Sequence, residues 1–147
     1  MKIIESHSPE ETMDLGRELG RRAEAGSLIT LDGELGTGKT VFAKGFAEGL
    51  GIEEIVNSPT FTILQIYEGG RLPLYHFDVY RIEEPEEMEE IGYEEYFSGE
   101  GVCLVEWADQ IAELIPPEAV HVRIEKKPEK GNDYRIISLE NEKNLPG

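Results

Sequence analysis

Residues 33–40 read Gly33-Glu34-Leu35-Gly36-Thr37-Gly38-Lys39-Thr40, which satisfies G-x-x-x-x-G-K-[ST] at every fixed position. Each position has a physical role. The glycines let a loop wrap so tightly that backbone N–H groups converge on phosphate oxygens. The helix that begins after the loop adds unpaired N–H groups and the positive end of its dipole. Lys39 supplies a cation for the β- and γ-phosphates, and the Thr40 hydroxyl is suited to a magnesium ion. The expectation is therefore a nucleotide site, for ATP with magnesium, cradled by Glu34, Leu35, Gly36, Thr37, Gly38, Lys39, Thr40 and Val41.

The flanking sequence has the right order. Upstream, Leu28-Ile29-Thr30-Leu31 reads as a buried strand; downstream, Lys39 to Leu50 carries Phe42, Phe46 and Leu50 at helical spacing and stops at Gly51. Further out, Lys2 to Glu5 reads as a short strand. Ser8-Pro9-Glu10-Glu11 opens a helix, with Ser8 as N-cap, Pro9 in the first turn and Glu11 closing a capping box. That helix has Met13, Leu15, Leu19 and Ala23 on its apolar face and ends near Gly26. After Ser58-Pro59 the period shortens: Thr60 to Glu68 and Leu72 to Arg81 flank Gly69-Gly70 as a hairpin. Glu83 to Glu90 reads as an acidic helix opened by Pro85, and Val102 to Trp107 as a buried strand. A short helix, Asp109 to Ile115, ends at Pro116-Pro117. Two last strands, Ala119 to Glu125 and Tyr134 to Leu139, flank the turn Pro128 to Asp133. The expected fold is α/β, a P-loop NTPase-like three-layer sandwich with a mixed parallel and antiparallel sheet. It is read as one domain over 1–147, with about 141–147 as a frayed tail.

The composition agrees with a globular chain: 147 residues, 39% hydrophobic and 31% charged. Aspartate and glutamate number 31 against 14 lysines and arginines, a formal net charge of −17. Nucleic acid is held chiefly by neutralising its phosphates with Lys and Arg, so a partner, not this chain, is expected to carry any polyanion. The single cysteine, Cys103, sits in the apolar run Val102-Cys103-Leu104-Val105 and reads as a buried thiol. The sequence lacks a signal pattern and a run of roughly 18 apolar residues, and the expectation is a cytoplasmic protein without a membrane contact.

A phosphate cradle alone gives binding, and hydrolysis needs an acid. Glu106 ends the apolar strand Cys103-Leu104-Val105-Glu106, where an acid serving magnesium belongs, although a solvent-facing carboxylate would read the same. Asp78, in His76-Phe77-Asp78-Val79-Tyr80-Arg81, reads equally as a second acid of the magnesium site or as a surface charge. Arg81 reads as a phosphate contact or an ion-pair partner, His76 as a hydrogen-bonded structural histidine. Thr60, in Ser58-Pro59-Thr60, stands either in a plain turn or as a switch residue sensing the γ-phosphate. Trp107 reads as core, partner surface or site lining. Ser8 to Thr12 is a candidate contact for the base. No N-K-x-D segment for reading guanine occurs, and the chain is short for a nucleotide kinase with lid and acceptor domains. A kinase and a non-catalytic, nucleotide-gated binding module remain the alternatives.

Four segments together carry a resemblance: the loop at 33–40, Asn57-Ser58-Pro59-Thr60-Phe61-Thr62, Tyr75-His76-Phe77-Asp78-Val79-Tyr80-Arg81 and Cys103-Leu104-Val105-Glu106-Trp107. In order and spacing the chain resembles the bacterial TsaE (formerly YjeE) family, which supports biosynthesis of threonylcarbamoyladenosine in tRNA, over about residues 8 to 139. The resemblance implies an ATPase that docks on a carbamoyl-transferase pair, a metal-bearing catalytic subunit and its pseudo-enzyme dimer mate. tRNA is then met only through those partners. It further implies Lys39 and the loop amides on the phosphates, Thr40 and Glu106 as magnesium ligands, Thr60 as a switch residue and Asp78 as a catalytic-site acid. Val41 departs from the family's usual Ser or Thr and removes one hydroxyl near the α-phosphate.

Overall fold

The computed structural model describes residues 1–34, 37–54 and 63–145. Among them, strands β1 (Lys2–Ser6), β2 (Leu28–Asp32), β3 (Leu64–Tyr67), β4 (Leu74–Asp78), β5 (Val102–Glu106), β6 (Val120–Lys126) and β7 (Arg135–Glu140) form one sheet in the order β1-β7-β6-β2-β5-β4-β3. The central four, β6, β2, β5 and β4, run parallel. β7 and β1 on one side and β3 on the other are antiparallel additions. The apolar runs of β2 and β5 fit this placement, because a central parallel strand is covered on both faces.

Period-two alternation decides which layer each side chain joins. On β5, Val102 and Leu104 enter one core with Leu19, Phe42 and Phe46, while Cys103 and Val105 enter a second core with Phe77, Met88 and Ile111. The first face is covered by α1 (Pro9–Arg22) and α2 (Lys39–Gly49). The second is covered by α3 (Glu87–Ile91), α4 (Tyr93–Phe97) and a 3-10 helix, Ala108–Leu114. Helices on both faces give the three layers read from the sequence.

Helices α1 and α2 meet along glycines. A Cβ on Gly16 would stand 2.4 Å from the Phe42 carbonyl oxygen, and one on Gly45 would stand 2.1 Å from that of Met13. The backbones therefore touch where any side chain would hold them apart. This seam fixes the helix that begins at Lys39. The start of α1 is nearly as expected: Ser8 Oγ accepts the Glu11 N–H at 3.2 Å. The Glu11 carboxylate, however, accepts the N–H of His7 at 3.2 Å instead of that of Ser8.

Most boundaries fall within a residue or two of the sequence reading, and four departures have a local reason. β4 stops at Asp78, not Arg81, because Asp78 Oδ1 accepts the Tyr80 N–H at 3.1 Å and folds the chain into a turn. The acidic helix begins only at Glu87, whose carboxylate accepts the N–H groups of Glu83 and Glu84 at 2.8 and 2.9 Å, and it breaks at Gly92. Trp107 leaves the strand for a left-handed conformation (φ 63°). Residues 141–145, expected to fray, are tied down. Leu145 is buried, Arg22 bonds the carbonyls of Glu142 and Leu145 at 3.0 and 3.1 Å, and Asn141 donates to the Ala119 carbonyl at 3.0 Å. Among the described residues, no helix is long and apolar enough to cross a membrane.

Candidate functional site

The parallel strands all point their carboxyl ends toward the glycine-rich loop, the end of an open α/β sheet where ligands bind. β2 runs directly into the loop. On β4 and β5, Asp78 lies opposite Glu106 in register, and His76 lies opposite Leu104. Because side chains alternate, His76, Asp78 and Glu106 share the face that carries α2, while Phe77 and Val105 turn to the other core.

Glu106 is buried, and its two oxygens are shared out. Oε2 bonds His76 Nε2 at 2.7 Å, and Oε1 stands 3.9 Å from Lys39 Nζ. A carboxylate oxygen accepts, so His76 Nε2 carries the hydrogen. Lys39 is itself 6% exposed, and its Nζ lies 4.1 Å from the centre of the Trp107 ring. The lysine is thus held loosely by one acid and one aromatic face. Tyr80, 59% exposed, packs on the outer side of Trp107 at 4.9 Å between ring centres. Burial raises the Asp78 carboxyl above the ordinary aspartate value and the Glu106 charge adds to the rise, against the Tyr80 N–H, Lys39 and His76, which lower it.

The loop is braced from below. Thr37 is buried, and its hydroxyl donates to the Glu34 carbonyl at 2.8 Å. Arg135, at the start of β7, donates from Nε to the Thr37 carbonyl at 2.8 Å and from its Nη1 to the carbonyls of Asn132 and Tyr134. Gly38 is left-handed (φ 105°), and among the described residues a Cβ built on it would meet nothing within 4 Å. Thr40 is exposed in the first turn of α2, with Val41 next to it.

Of the sequence-predicted residues, the structure brings Lys39, Asp78 and Glu106 together, with Thr37 and Gly38 immediately before Lys39 and Thr40 immediately after it. Leu35, Gly36 and Thr60, with the rest of 55–62, lie outside the described residues. Arg81 is exposed in the turn after β4. Ser8 and Thr12 serve α1: Ser8 caps it, and the buried Thr12 hydroxyl bonds Ser6 at 2.7 Å. Two participants were under-read. His76 is a histidine with a structural-looking burial, but its partner is the proposed acid. Its place two residues before Asp78, on the same strand face, was the available signal. Arg135 carries no sequence signal, because only the return of β7 beside β6 brings it beneath the loop.

The residues present suit an anionic ligand with a hard cation. The Lys39 ammonium suits the anion, and the oxygens of Thr40, Asp78 and Glu106 are of the types that suit magnesium, which is bound by one or two carboxylates together with substrate phosphates.

The family model described as threonylcarbamoyl adenosine biosynthesis protein TsaE matches residues 6–136. The chain is a member of the TsaE family. It is 53% identical over 132 residues to the tRNA threonylcarbamoyladenosine biosynthesis protein TsaE of Bacillus subtilis, covering 90% of this chain and 80% of that protein. The protein of the same description from Treponema pallidum is 45% identical over 119 residues, covering 81% and 87%. Among solved structures, the crystal structure of YdiB from Bacillus subtilis superposes with a TM-score of 0.80 at 45% identity, over 94% of this chain and 83% of that one. The family is thus placed in the biosynthesis of threonylcarbamoyladenosine in tRNA, and the α/β fold with its mixed sheet is shared with the YdiB structure.

Proposed function

We propose that this chain binds ATP with magnesium at the glycine-rich loop and hydrolyses it in support of tRNA threonylcarbamoyladenosine synthesis. The reading includes docking on a carbamoyl-transferase catalytic subunit and its pseudo-enzyme dimer mate, in the cytoplasm, with tRNA reached only through those partners. The observation that supports it most is the convergence of Lys39, at the start of α2, with Glu106 and Asp78 at the carboxyl ends of adjacent strands.

Each group has a task its surroundings suit. Lys39 exchanges a loose contact with Glu106 for the β- and γ-phosphates, helped by the N–H groups of the loop and of the first turn of α2. The same groups stabilise the charge that develops as water attacks the γ-phosphorus in line. Asp78, held by Tyr80 N–H through one oxygen and raised in pKa, orients the attacking water. Glu106 and the Thr40 hydroxyl face the metal position. Magnesium, when bound, neutralises phosphate charge. The net charge of −17 fits a division of labour in which a basic partner carries the RNA.

The test is the magnesium-dependent rate of ATP hydrolysis, with and without the partner pair, for the native chain and for Glu106→Ala. Partner-stimulated turnover that collapses in Glu106→Ala supports the reading. Turnover at background in the native complex, with ATP bound and the complex formed, would instead favour a nucleotide-gated binding module. Phosphate transfer to a defined acceptor would point to a kinase.

A further inference from the structure

We infer that His76 is a positioning residue that fixes the orientation of the Glu106 carboxylate beside Lys39, an inference that rests on the ATPase reading for its kinetic consequences only. Four observations carry it. His76 and Glu106 are among the most buried polar side chains of the molecule, at 1% and 3% exposure. Their bond is short, 2.7 Å, and joins a diagonal pair on adjacent parallel strands. It occupies one carboxylate oxygen, leaving the other toward Lys39 at 3.9 Å. Finally, His76 Nδ1 has no hydrogen-bond partner among the described residues.

The last point separates a positioning role from plain structure. A buried polar atom left unsatisfied costs free energy, and an apolar ring would fill the same space without that cost. The imidazole here is committed to Glu106 through one nitrogen, and its other nitrogen has no partner among the described residues. What that single bond supplies is direction. Glu106 ends β5, its side chain has three rotatable bonds, and the next residue is the left-handed Trp107. Without a donor on Oε2, the carboxylate is free to rotate away from the geometry that presents Oε1 to Lys39. Groups that orient a reacting or ligating carboxylate in this way typically contribute about 10- to 100-fold to activity or metal affinity.

The test compares His76→Gln with His76→Asn. The Gln amide nitrogen is as many bonds from Cβ as Nε2 and can reach Glu106. The Asn nitrogen corresponds to Nδ1 and cannot. Both variants are polar and smaller than the native ring, so a loss confined to Asn reports the bond and not the volume. With the partner pair present, kcat for ATP is expected to fall about 10- to 100-fold in His76→Asn. KM should stay within about threefold, and His76→Gln should recover most of the rate.

The second readout needs no nucleotide. Trp107 is the single tryptophan of the chain, and the Lys39 ammonium lies over its ring. Its emission should be native-like in His76→Gln and altered in His76→Asn, with both variants shown to be folded by far-UV circular dichroism. Native kcat in His76→Asn, or equal losses in both variants, would overturn the assignment. If the native complex shows no turnover at all, the ATPase reading falls. The emission comparison then decides alone, and identical spectra in all three proteins would refute the role of His76.

Discussion

The contact between Lys39 and Glu106 can be weighed before any nucleotide is added. The two charged groups stand 3.9 Å apart with side chains only 7% and 5% exposed. At an effective dielectric constant of about 20, that separation is worth about 4 kcal/mol of attraction. Desolvation takes back much of this in the net stability, but a double-mutant cycle largely cancels desolvation and reads the coupling itself. The pair is at the long limit of an ion contact, and the ammonium keeps the Trp107 ring when the carboxylate is neutralised. We therefore expect a coupling of about 2 kcal/mol, inside the range of such cycles. The cycle uses Lys39→Met and Glu106→Gln, singly and together. The Gln amide keeps an oxygen for His76 Nε2, so the substitution removes charge with little change in hydrogen bonding. Urea unfolding of the four nucleotide-free proteins, at two salt concentrations, supplies the energies. Burial should leave the coupling nearly the same in both, because salt screens exposed pairs far more than buried ones. A coupling below about 0.5 kcal/mol, or one that disappears with salt, would show that Glu106 does not hold the lysine.

Other consequences follow from single positions. Gly45→Ala places a methyl 2.1 Å from the Met13 carbonyl oxygen and should destabilise the chain by about 3 kcal/mol in chemical denaturation, with an unchanged value meaning that α1 and α2 sit further apart. For Asp78 the folded carboxyl is raised by burial, so its contribution to stability is present below the ordinary aspartate value of 3.8 and is lost as pH rises through the raised value. Asp78→Asn should therefore melt higher than the native chain at neutral pH, the difference should vanish in acid, and hydrolysis should fall. Burial pushes the Cys103 thiol up to about 12, and its S–H donates to the Tyr96 carbonyl at 3.2 Å. A disulfide thiol reagent at mildly alkaline pH should label it only after unfolding, and fast labelling of the native chain would contradict that burial.

The sequence made the central sheet and the loop legible because both rest on local rules. Continuous apolar runs marked β2 and β5, Gly69-Gly70 marked the antiparallel pair β3 and β4, and the spacing of Phe42 and Phe46 marked α2. What stayed hidden depends on contacts made across the chain. The glycines at 16, 20, 45 and 49 look like weak points in two helices until the helices are placed together. Glu87 looks like the middle of an acidic helix, but its carboxylate serves N–H groups before it and delays the start. Leu145 looks like part of a polar end, but it fills the first core, and Arg22 across the fold secures the carbonyls around it. Asp78 and Glu106 were legible as separate candidates. Their register, which makes them neighbours, was not.

That register also explains how one strand pair can build core and chemistry together. On β4 and β5, the second core takes Phe77, Cys103 and Val105, with Tyr75 packed against them. The opposite face begins apolar at Leu74, Val102 and Leu104 and becomes polar only toward the strand ends, at His76, Asp78 and Glu106. The change occurs where α2 begins, so the polar groups meet Lys39 in its first turn instead of the apolar side chains further along the helix. A buried acid is tolerable there because a lysine and a histidine share its charge, and a buried lysine because an acid and an indole flank it. Neither partner holds the lysine at the distance of a close ion pair, so an anion with more charge and better geometry can displace both. In a chain of net charge −17, the attraction of this pocket for phosphate under the proposed function would rest on the Lys39 ammonium and the positive end of α2. The surrounding acids would repel a polyanion, so the proposed function carries with it a preference for a small phosphate ligand over nucleic acid.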